Sequence, residues 1–115
     1  MDTGPWICDD VVTMRPTQAD PVSLVAAAIA DPTRRLLLER LVTMPGMTSG
    51  ELAALVPQHT RFAVMKHVRV LEGAGLVRVM HDGRRRRHFA ERAAFAELRA
   101  WMERMGGNPR RRATR

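Results

Sequence analysis

Three basic side chains between residues 60 and 71 carry hydrogen-bond donors that can bind phosphate groups or bases. They are Arg61, Lys66 and Arg69. An arginine can bind guanine through two hydrogen bonds, and either residue type can bind a phosphate oxygen. Lys66 and Arg69 fall opposite an apolar stripe, so we expect them on the outer face of a helix. The alternative is a basic face that contacts only solvent.

Two apolar side chains and a hydroxyl accompany these basic residues. Phe62 and Met65 are unusual on a solvated face, and either can contact the methyl group of a thymine. The alternative for both is packing against a neighbouring helix. Thr60 stands where a phosphate oxygen can approach a helix N-terminus. Thr48 and Ser49 offer the same chemistry at the preceding helix.

A second basic run, Arg84 to Arg87, follows Asp82-Gly83. Alternate residues of a strand point to opposite faces, so one partner is not expected to meet all four arginines. We expect Arg84, Arg85 and Arg86 to reach phosphates or a narrow minor groove, which attracts arginine. A solvated strand is the alternative.

Two short helices are predicted to position the first basic group. Thr48 and Glu51 fit a capping box, and Pro57 disfavours helical backbone at the residue before it. Thr60 can cap the second helix. The apolar stripe of that helix holds Val64, Val68 and Leu71. Two short helices across a tight turn, the second with a basic outer face, are typical of a helix-turn-helix, whose second helix lies in the major groove of DNA.

Two apolar helices are predicted before this unit. The first spans Pro21 to Ala30, and Asp31-Pro32 then supplies a cap and a first helical residue. The second helix runs to about Met44, where Pro45-Gly46 breaks it. In the first helix Val22, Val25, Ala26 and Ile29 share a face. In the second, Leu37, Leu41 and Met44 line one side, with Leu36 and Leu38 flanking.

The hydrophobic period changes after Gly75, which is the expected left-handed cap of the helix before it. Leu76 to His81 alternates like a strand, Asp82-Gly83 is a hairpin turn, and Arg84 to Phe89 returns. This two-stranded hairpin is a wing. A last helix is expected from about Arg92 to Met105. Its apolar side, which is either an intrachain core or a dimer seam, holds Phe95, Leu98, Trp101, Met102 and Met105.

The histidines are not spaced as metal ligands. No His-x-x-x-His or Cys/His pair lies in one predicted element, so we expect no metal site. His67 lies beside the apolar stripe and is predicted to be a structural, hydrogen-bonded residue. His81 and His88 are candidates to face each other across the hairpin.

The charge of the chain is unevenly distributed. The 115 residues are 45% apolar, enough for one small domain, and carry a formal net charge of +7. Residues 58–88 hold eight basic and two acidic residues, whereas residues 1–31 hold one Arg and five Asp. This segregation favours a nucleic-acid-binding face.

Several classes of protein are disfavoured. The chain has no Gly-rich phosphate loop, Gly-x-Ser-x-Gly elbow or His-Glu-x-x-His motif, so we expect no catalytic residues and no cofactor. One cysteine excludes an internal disulfide framework, and no apolar run approaches the ~18 residues of a membrane span. We therefore expect a cytoplasmic protein. It would have a flexible arm (1–20), a folded domain (21–105) and a basic tail (106–115).

Five strings of the sequence occur in an order and spacing that resemble bacterial ArsR-family winged-helix transcriptional regulators, over about residues 21–105. These strings are Ala30-Asp-Pro-Thr-Arg-Arg35, Gly50-Glu-Leu-Ala53, Arg61-Phe-Ala-Val-Met-Lys-His-Val-Arg-Val-Leu-Glu72, Ala74-Gly-Leu-Val77 and Asp82-Gly-Arg-Arg85. The resemblance implies a homodimer that represses transcription from a palindromic operator until an unidentified inducer or a modification releases the DNA. The implied interface, between the first and last helices, holds Val22, Val25, Ile29, Phe95, Leu98, Trp101 and Met102.

The chain departs from the metal-sensing members of that family. They carry a Cys-x-Cys pair in the helix that here reads Glu51-Leu52-Ala53-Ala54-Leu55, or ligands including histidine on the last helix, which here has none. The predicted fold is α+β and mainly α, a winged helix-turn-helix of about five helices and a two-stranded hairpin. The predicted partner is double-stranded operator DNA. The alternatives are a winged-helix module for protein–protein interaction and a nonspecific nucleic-acid binder.

Overall fold

Side-chain caps start the first two helices of the computed structural model, which describes residues 20–106. Helix α1 (Pro21–Ala28) is capped by Asp20, whose carboxylate accepts from the Ser23 backbone N–H at 2.7 Å. Helix α2 (Pro32–Thr43) is capped by Asp31 in the same way, as predicted. The predicted arm up to residue 19 and the tail from residue 107 lie outside the described residues.

The two central helices also start where the sequence predicts. Helix α3 (Ser49–Ala54) has a complete capping box, in which Thr48 and Glu51 each accept the other's backbone N–H. Helix α4 (Arg61–Gly73) is capped by Thr60, whose hydroxyl accepts from the Ala63 N–H at 3.0 Å. These caps satisfy backbone donors that a helix start leaves free, so they fix where each helix begins.

The predicted hairpin belongs to a three-stranded antiparallel sheet. Strands β2 (Val77–Asp82) and β3 (Arg85–Ala90) form the wing. A two-residue strand that the sequence did not predict, β1 (Met47–Thr48), pairs with the other edge of β3. Because β1 leads directly into α3, this pairing connects the wing to the helix-turn-helix.

The hairpin register contradicts one prediction. His88 lies opposite Val79 and is fully buried, whereas His81 lies opposite Arg86 and is exposed. The two histidines therefore do not face each other. The cause is the register of the hairpin, because the Gly83-Arg84 turn pairs Asp82 with Arg85 and therefore sets His81 opposite Arg86.

The last predicted helix has two parts. A 3₁₀ turn (Arg92–Phe95) precedes α5 (Ala96–Met105), so the regular helix starts later than predicted. Glu91 makes no side-chain cap, and its backbone N–H donates to the Leu76 carbonyl at 2.7 Å. An uncapped helix start often satisfies its backbone groups through the tighter i→i+3 bonds of a 3₁₀ turn.

The core lies between the helices and one face of the sheet, and it includes one residue of the expected dimer seam. Val25 is 1% exposed, so it belongs to the core of the protomer and has no surface for a partner. Met44 is 52% exposed because α2 has ended before it, and Ala26 is exposed because Ala28 instead faces inward beside Val25. The buried apolar residues are Val25, Ala28, Leu37, Leu38, Leu41, Met47, Leu52, Val56, Val64, Val68, Leu71, Leu76 and Val77. No helix among the described residues is long and apolar enough to cross a membrane.

Candidate nucleic-acid interface

The outer face of α4 presents an aromatic ring between basic groups. Phe62, Lys66 and Arg69 are spaced by four and three residues, so they share one side of the helix. We call these three residues the outer ridge. They lie opposite Val64, Val68 and Leu71, which are buried. Phe62 is 66% exposed, and the Lys66 ammonium lies 5.5 Å from the centroid of its ring.

Met65 differs from the outer ridge. Its side chain is half-buried and packs against the core cluster. Met65 was expected either to contact a thymine methyl group or to pack against a neighbouring helix. Packing within the protein covers at least part of its side chain. Thr60 remains exposed beside the first turn of α4.

A basic groove forms where α3, α4 and the wing meet. Its volume is about 490 Å³, and it is open to solvent. Arg61 contributes from the start of α4, with a guanidinium nitrogen 4.0 Å from the position that a Cβ on Gly50 would take. The lining residues are Thr48, Ser49, Gly50, Glu51, Arg61, Arg84, Arg85 and Arg86. Residues from three separate stretches of the sequence thus form one surface with four arginines.

The carboxylate in the basic groove has a structural role. Glu51 Oε1 accepts the Thr48 backbone N–H at 2.9 Å and completes the capping box. Within the described part of the chain, no carboxylate forms an ion pair with Arg61, Arg84, Arg85 or Arg86. The groove therefore has a net positive charge and suits an anion.

Two other arginines of the sheet are already paired. Arg78 forms an ion pair with Glu91, and its guanidinium stacks 5.0 Å from the centroid of the Phe89 ring. Arg87 donates to Asp82 at 3.0 Å and to the Gly46 carbonyl at 2.9 Å. The Arg84–Arg87 run thus divides into three arginines that line the groove and one that holds the wing in place.

His88 contributes to the same attachment. Its Nδ1 lies 3.0 Å from the Met47 carbonyl oxygen, and its own carbonyl accepts the Gly46 N–H at 2.8 Å. The sequence does not indicate this role, because the partner lies 41 residues away. β1 and β3 therefore set the position of the wing arginines relative to α3.

A second set of contacts positions α4 from the opposite side. Arg34 donates to the carbonyls of Ala27 at 3.1 Å and Ala28 at 2.7 Å, and to Nδ1 of His67 at 3.2 Å. Asp31 lies 3.9 Å from the same His67 nitrogen. His67 is therefore a structural, hydrogen-bonded residue, as predicted.

The residues expected at a dimer seam fall into three groups. Trp101 and Met102 of α5 are 43% and 56% exposed. Val22, Ile29, Phe95 and Leu98 are partly buried, and the last three pack against the core. Val25 lies within the core, as described above. Among residues 20–106, no three His, Cys, Asp or Glu side chains group closely enough to hold a metal ion.

Comparison with known proteins agrees with this architecture. A family model described as a helix-turn-helix domain matches residues 29–79. No curated protein matches the chain. The crystal structure of an ArsR-family transcriptional regulator is 33% identical, covers 79% of this chain and 89% of its own, and superposes with a TM-score of 0.67.

Two further solved structures give similar values. An ArsR-like transcriptional regulator from Rhodococcus sp. RHA1 is 31% identical and covers 82% of this chain and 87% of its own, with a TM-score of 0.66. A structure described as a "possible transcriptional regulator for arsenical resistance" is 34% identical, covers 84% and 94%, and has a TM-score of 0.61. With the capped two-helix unit and the wing, these matches show that the chain belongs to the ArsR family of winged helix-turn-helix, DNA-binding transcriptional regulators.

Proposed function

We propose that this protein is a homodimeric repressor that binds a palindromic operator. Residues 60–74 would lie in the major groove of DNA, and the wing, residues 77–89, would contact the backbone or the minor groove. The observation that supports this most directly is the basic groove. It joins Arg61 of α4 to Arg84, Arg85 and Arg86 of the wing without a paired carboxylate among the described residues.

The basic groove and the outer ridge would have different roles. Arginines that line an open groove can bind phosphates and set the orientation of the protein on the duplex. The outer ridge carries the ring of Phe62 and the charges of Lys66 and Arg69, which match the chemistry of base edges. Thr60 and Met65 border the ridge, where Thr60 can approach a phosphate and Met65 can contribute its exposed part.

The dimer would form through the exposed apolar side of α5, together with α1. Trp101 and Met102 would be the central contacts, flanked by Val22, Ile29, Phe95 and Leu98. Two symmetry-related copies of α4 would then enter major grooves about one helical turn apart, on the order of 34 Å. Operator occupancy by the free protein would block transcription, and an unidentified inducer would release it.

The test is a titration of the purified protein against the DNA immediately upstream of its own gene, with a scrambled duplex as control, at two salt concentrations. Specific operator binding is expected to be at least ~1000-fold tighter than binding to the scrambled duplex. The affinity should fall steeply with salt, because neutralised phosphates release counterions. The double variant Lys66→Ala, Arg69→Ala should lose the preference and keep its fold, because both side chains are exposed.

The alternatives give different results in the same assay. Equal, salt-sensitive binding to both duplexes would indicate a nonspecific nucleic-acid binder. Absence of binding to either duplex would indicate a module for protein–protein interaction. If the double variant keeps the operator preference, α4 is not the recognition helix.

A further inference from the structure

Among the described residues, Phe62 is the most exposed large apolar residue. At 66% it exceeds Met105 at 60% and Met102 at 56%, which lie on α5. Phe62 lies on α4, whose buried stripe already packs against the core without it. The ring is therefore free to contact a partner on the DNA-facing side of α4.

Lys66 lies one helical turn after Phe62 and is held near its ring. The ammonium is 5.5 Å from the ring centroid, within the range of a cation–π contact. At this distance the ring limits where the ammonium can go, but it consumes none of the three N–H donors. The pair thus presents an apolar surface and a donor group close to each other.

The place of the pair on α4 matches the part of a recognition helix that meets base edges. Phe62 and Lys66 lie in the first two turns of the helix, and N-terminal residues of such helices contact the bases. Arg61, the neighbour of Phe62, lines the basic groove beside the wing arginines. With phosphates bound there, the next side of the helix, which carries Phe62 and Lys66, would face the floor of the major groove.

We propose that Phe62 and Lys66 form one base-reading unit that selects a thymine and a guanine at neighbouring base pairs of each half-site. The inference rests on the proposed function and specifies the sequence that the same surface reads. Thymine offers a methyl group to the ring, and guanine offers the N7 and O6 acceptors to the ammonium. Lysine has no acceptor, so it favours guanine, which presents two adjacent acceptors, over adenine, whose single N7 acceptor lies beside an amino donor.

The separation within the pair supports neighbouring positions. Successive base pairs of DNA are about 3.4 Å apart along the axis. An ammonium 5.5 Å from the ring centroid, on a flexible side chain, therefore reaches the base pair next to the one whose methyl group the ring covers. Arg69 forms no cation–π contact with this ring and would read or bind DNA independently.

The experiment changes single functional groups on the DNA bases instead of replacing whole bases. The probe is the tightest duplex that the wild-type protein selects from a random-sequence pool. In that duplex, each thymine is replaced in turn by deoxyuridine, which lacks the methyl group. Each guanine is replaced in turn by 7-deazaguanine, which lacks the N7 acceptor. Binding of wild type, Phe62→Ala and Lys66→Ala is measured for every duplex.

For the wild type, we expect one deoxyuridine per half-site to weaken binding about fourfold, as for one methyl-sized apolar contact. A 7-deazaguanine at the adjacent base pair should weaken it about tenfold or more, as for a hydrogen bond to a charged group. Phe62→Ala should lose the sensitivity to that deoxyuridine, and Lys66→Ala the sensitivity to that 7-deazaguanine. Val70→Ala removes a 42% exposed apolar side chain from the same helix and should keep both sensitivities.

Three results would overturn the inference alone. The wild-type deoxyuridine scan could be flat, Phe62→Ala could retain the full methyl sensitivity, or the two sensitive positions could lie apart. Each of these would still leave a protein with a specific binding sequence. If the pool yields no preferred sequence, the proposed function and the base-reading unit fail together.

Discussion

The Arg34 guanidinium donates a hydrogen bond to Nδ1 of His67 at 3.2 Å, which connects the start of α2 to the middle of α4. A guanidinium has no acceptor, so Nδ1 of His67 must accept, and the ring proton must lie on Nε2. The same guanidinium binds the carbonyls of Ala27 and Ala28 at the end of α1. One side chain therefore joins the helix of the expected dimer seam to the helix that carries the outer ridge.

This connection should be measurable as an energetic coupling between Arg34 and His67. We expect Arg34→Ala to lower the free energy of unfolding by about 1–3 kcal/mol, because two carbonyls and an imidazole lose a charged donor. A double-mutant cycle with His67→Ala should give a coupling of about 0.5–1.5 kcal/mol. Urea unfolding of the four proteins measures both values.

Arg35 supplies the matched control for that cycle. Its guanidinium donates to the Ile29 carbonyl at 2.7 Å and does not reach α4. Arg35→Ala and His67→Ala should therefore be additive. If the Arg34 and His67 substitutions are additive as well, the contact does not couple the helices.

The wing arginines should differ in how they change the salt dependence of DNA binding. Replacing Arg84, Arg85 or Arg86 by Ala should reduce the slope of log affinity against log salt by about 0.9 for each phosphate that the variant no longer neutralises. Arg78→Ala is the control, because Arg78 belongs to the same sheet but is paired with Glu91 and stacked on Phe89. An equal effect at Arg78 would show that the wing adds only general charge.

The two wing histidines should contribute unequally to stability. His88 is fully buried and bonded to Met47, so His88→Ala should lower the free energy of unfolding by about 2–4 kcal/mol. His81 is exposed, and His81→Ala should stay within about 0.5 kcal/mol of the wild type. Denaturant unfolding compares them. Equal values would mean that His88 does not attach β1 to the wing.

Acid should weaken the cap at the start of α2. The backbone N–H of Arg34 donates to the Asp31 carboxylate and holds its pKa below the ordinary value of 3.8. The positive charge of the Arg34 guanidinium lowers this pKa further. A carboxyl whose folded pKa is depressed stabilises the fold above its unfolded pKa, and this stabilisation is lost as pH falls through the folded pKa. Asn can also cap a helix but carries no charge, so Asp31→Asn isolates the effect of ionisation.

We therefore expect the wild type to melt at a higher temperature than Asp31→Asn at about pH 7, and the difference to disappear as the pH falls through the folded pKa of Asp31, which lies below 3.8. Thermal melts followed by circular dichroism across this range measure it. A difference that stays constant down to the lowest pH would mean that the charge of Asp31 does not contribute.

Charge on one side of α5 should prevent dimerisation. The wild type is expected to sediment as a dimer at micromolar concentration. Met102→Glu would bury a charge in the seam without a partner, so it should be monomeric and bind DNA more weakly. Ala100→Glu places the same charge on the other side of α5 and should remain a dimer. A monomeric wild type would exclude the proposed seam.

The local elements of the fold were predictable because their signals lie within a few residues. The caps at Asp31, Thr48 and Thr60 and the left-handed Gly75 (φ +80°) are present as predicted. Each cap accepts a backbone N–H three residues further on, and Gly75 turns the backbone at its own position. The information is therefore contained in a short stretch of sequence. The apolar stripe of α4 is likewise a local pattern, and it identified the opposite side as the outer ridge.

The contacts between distant stretches were decided only by the tertiary structure. β1, the burial of Val25 and His88, and the difference between Arg87 and its three neighbours all depend on what packs beside them. Likewise, the basic groove exists only because β3 pairs with the strand that starts α3. The sequence by itself determined where the four capped helices α1 to α4 begin and which chemistry they carry. Long-range packing determined which charges were neutralised and which remained available to DNA, because pairing requires a partner that periodicity does not reveal.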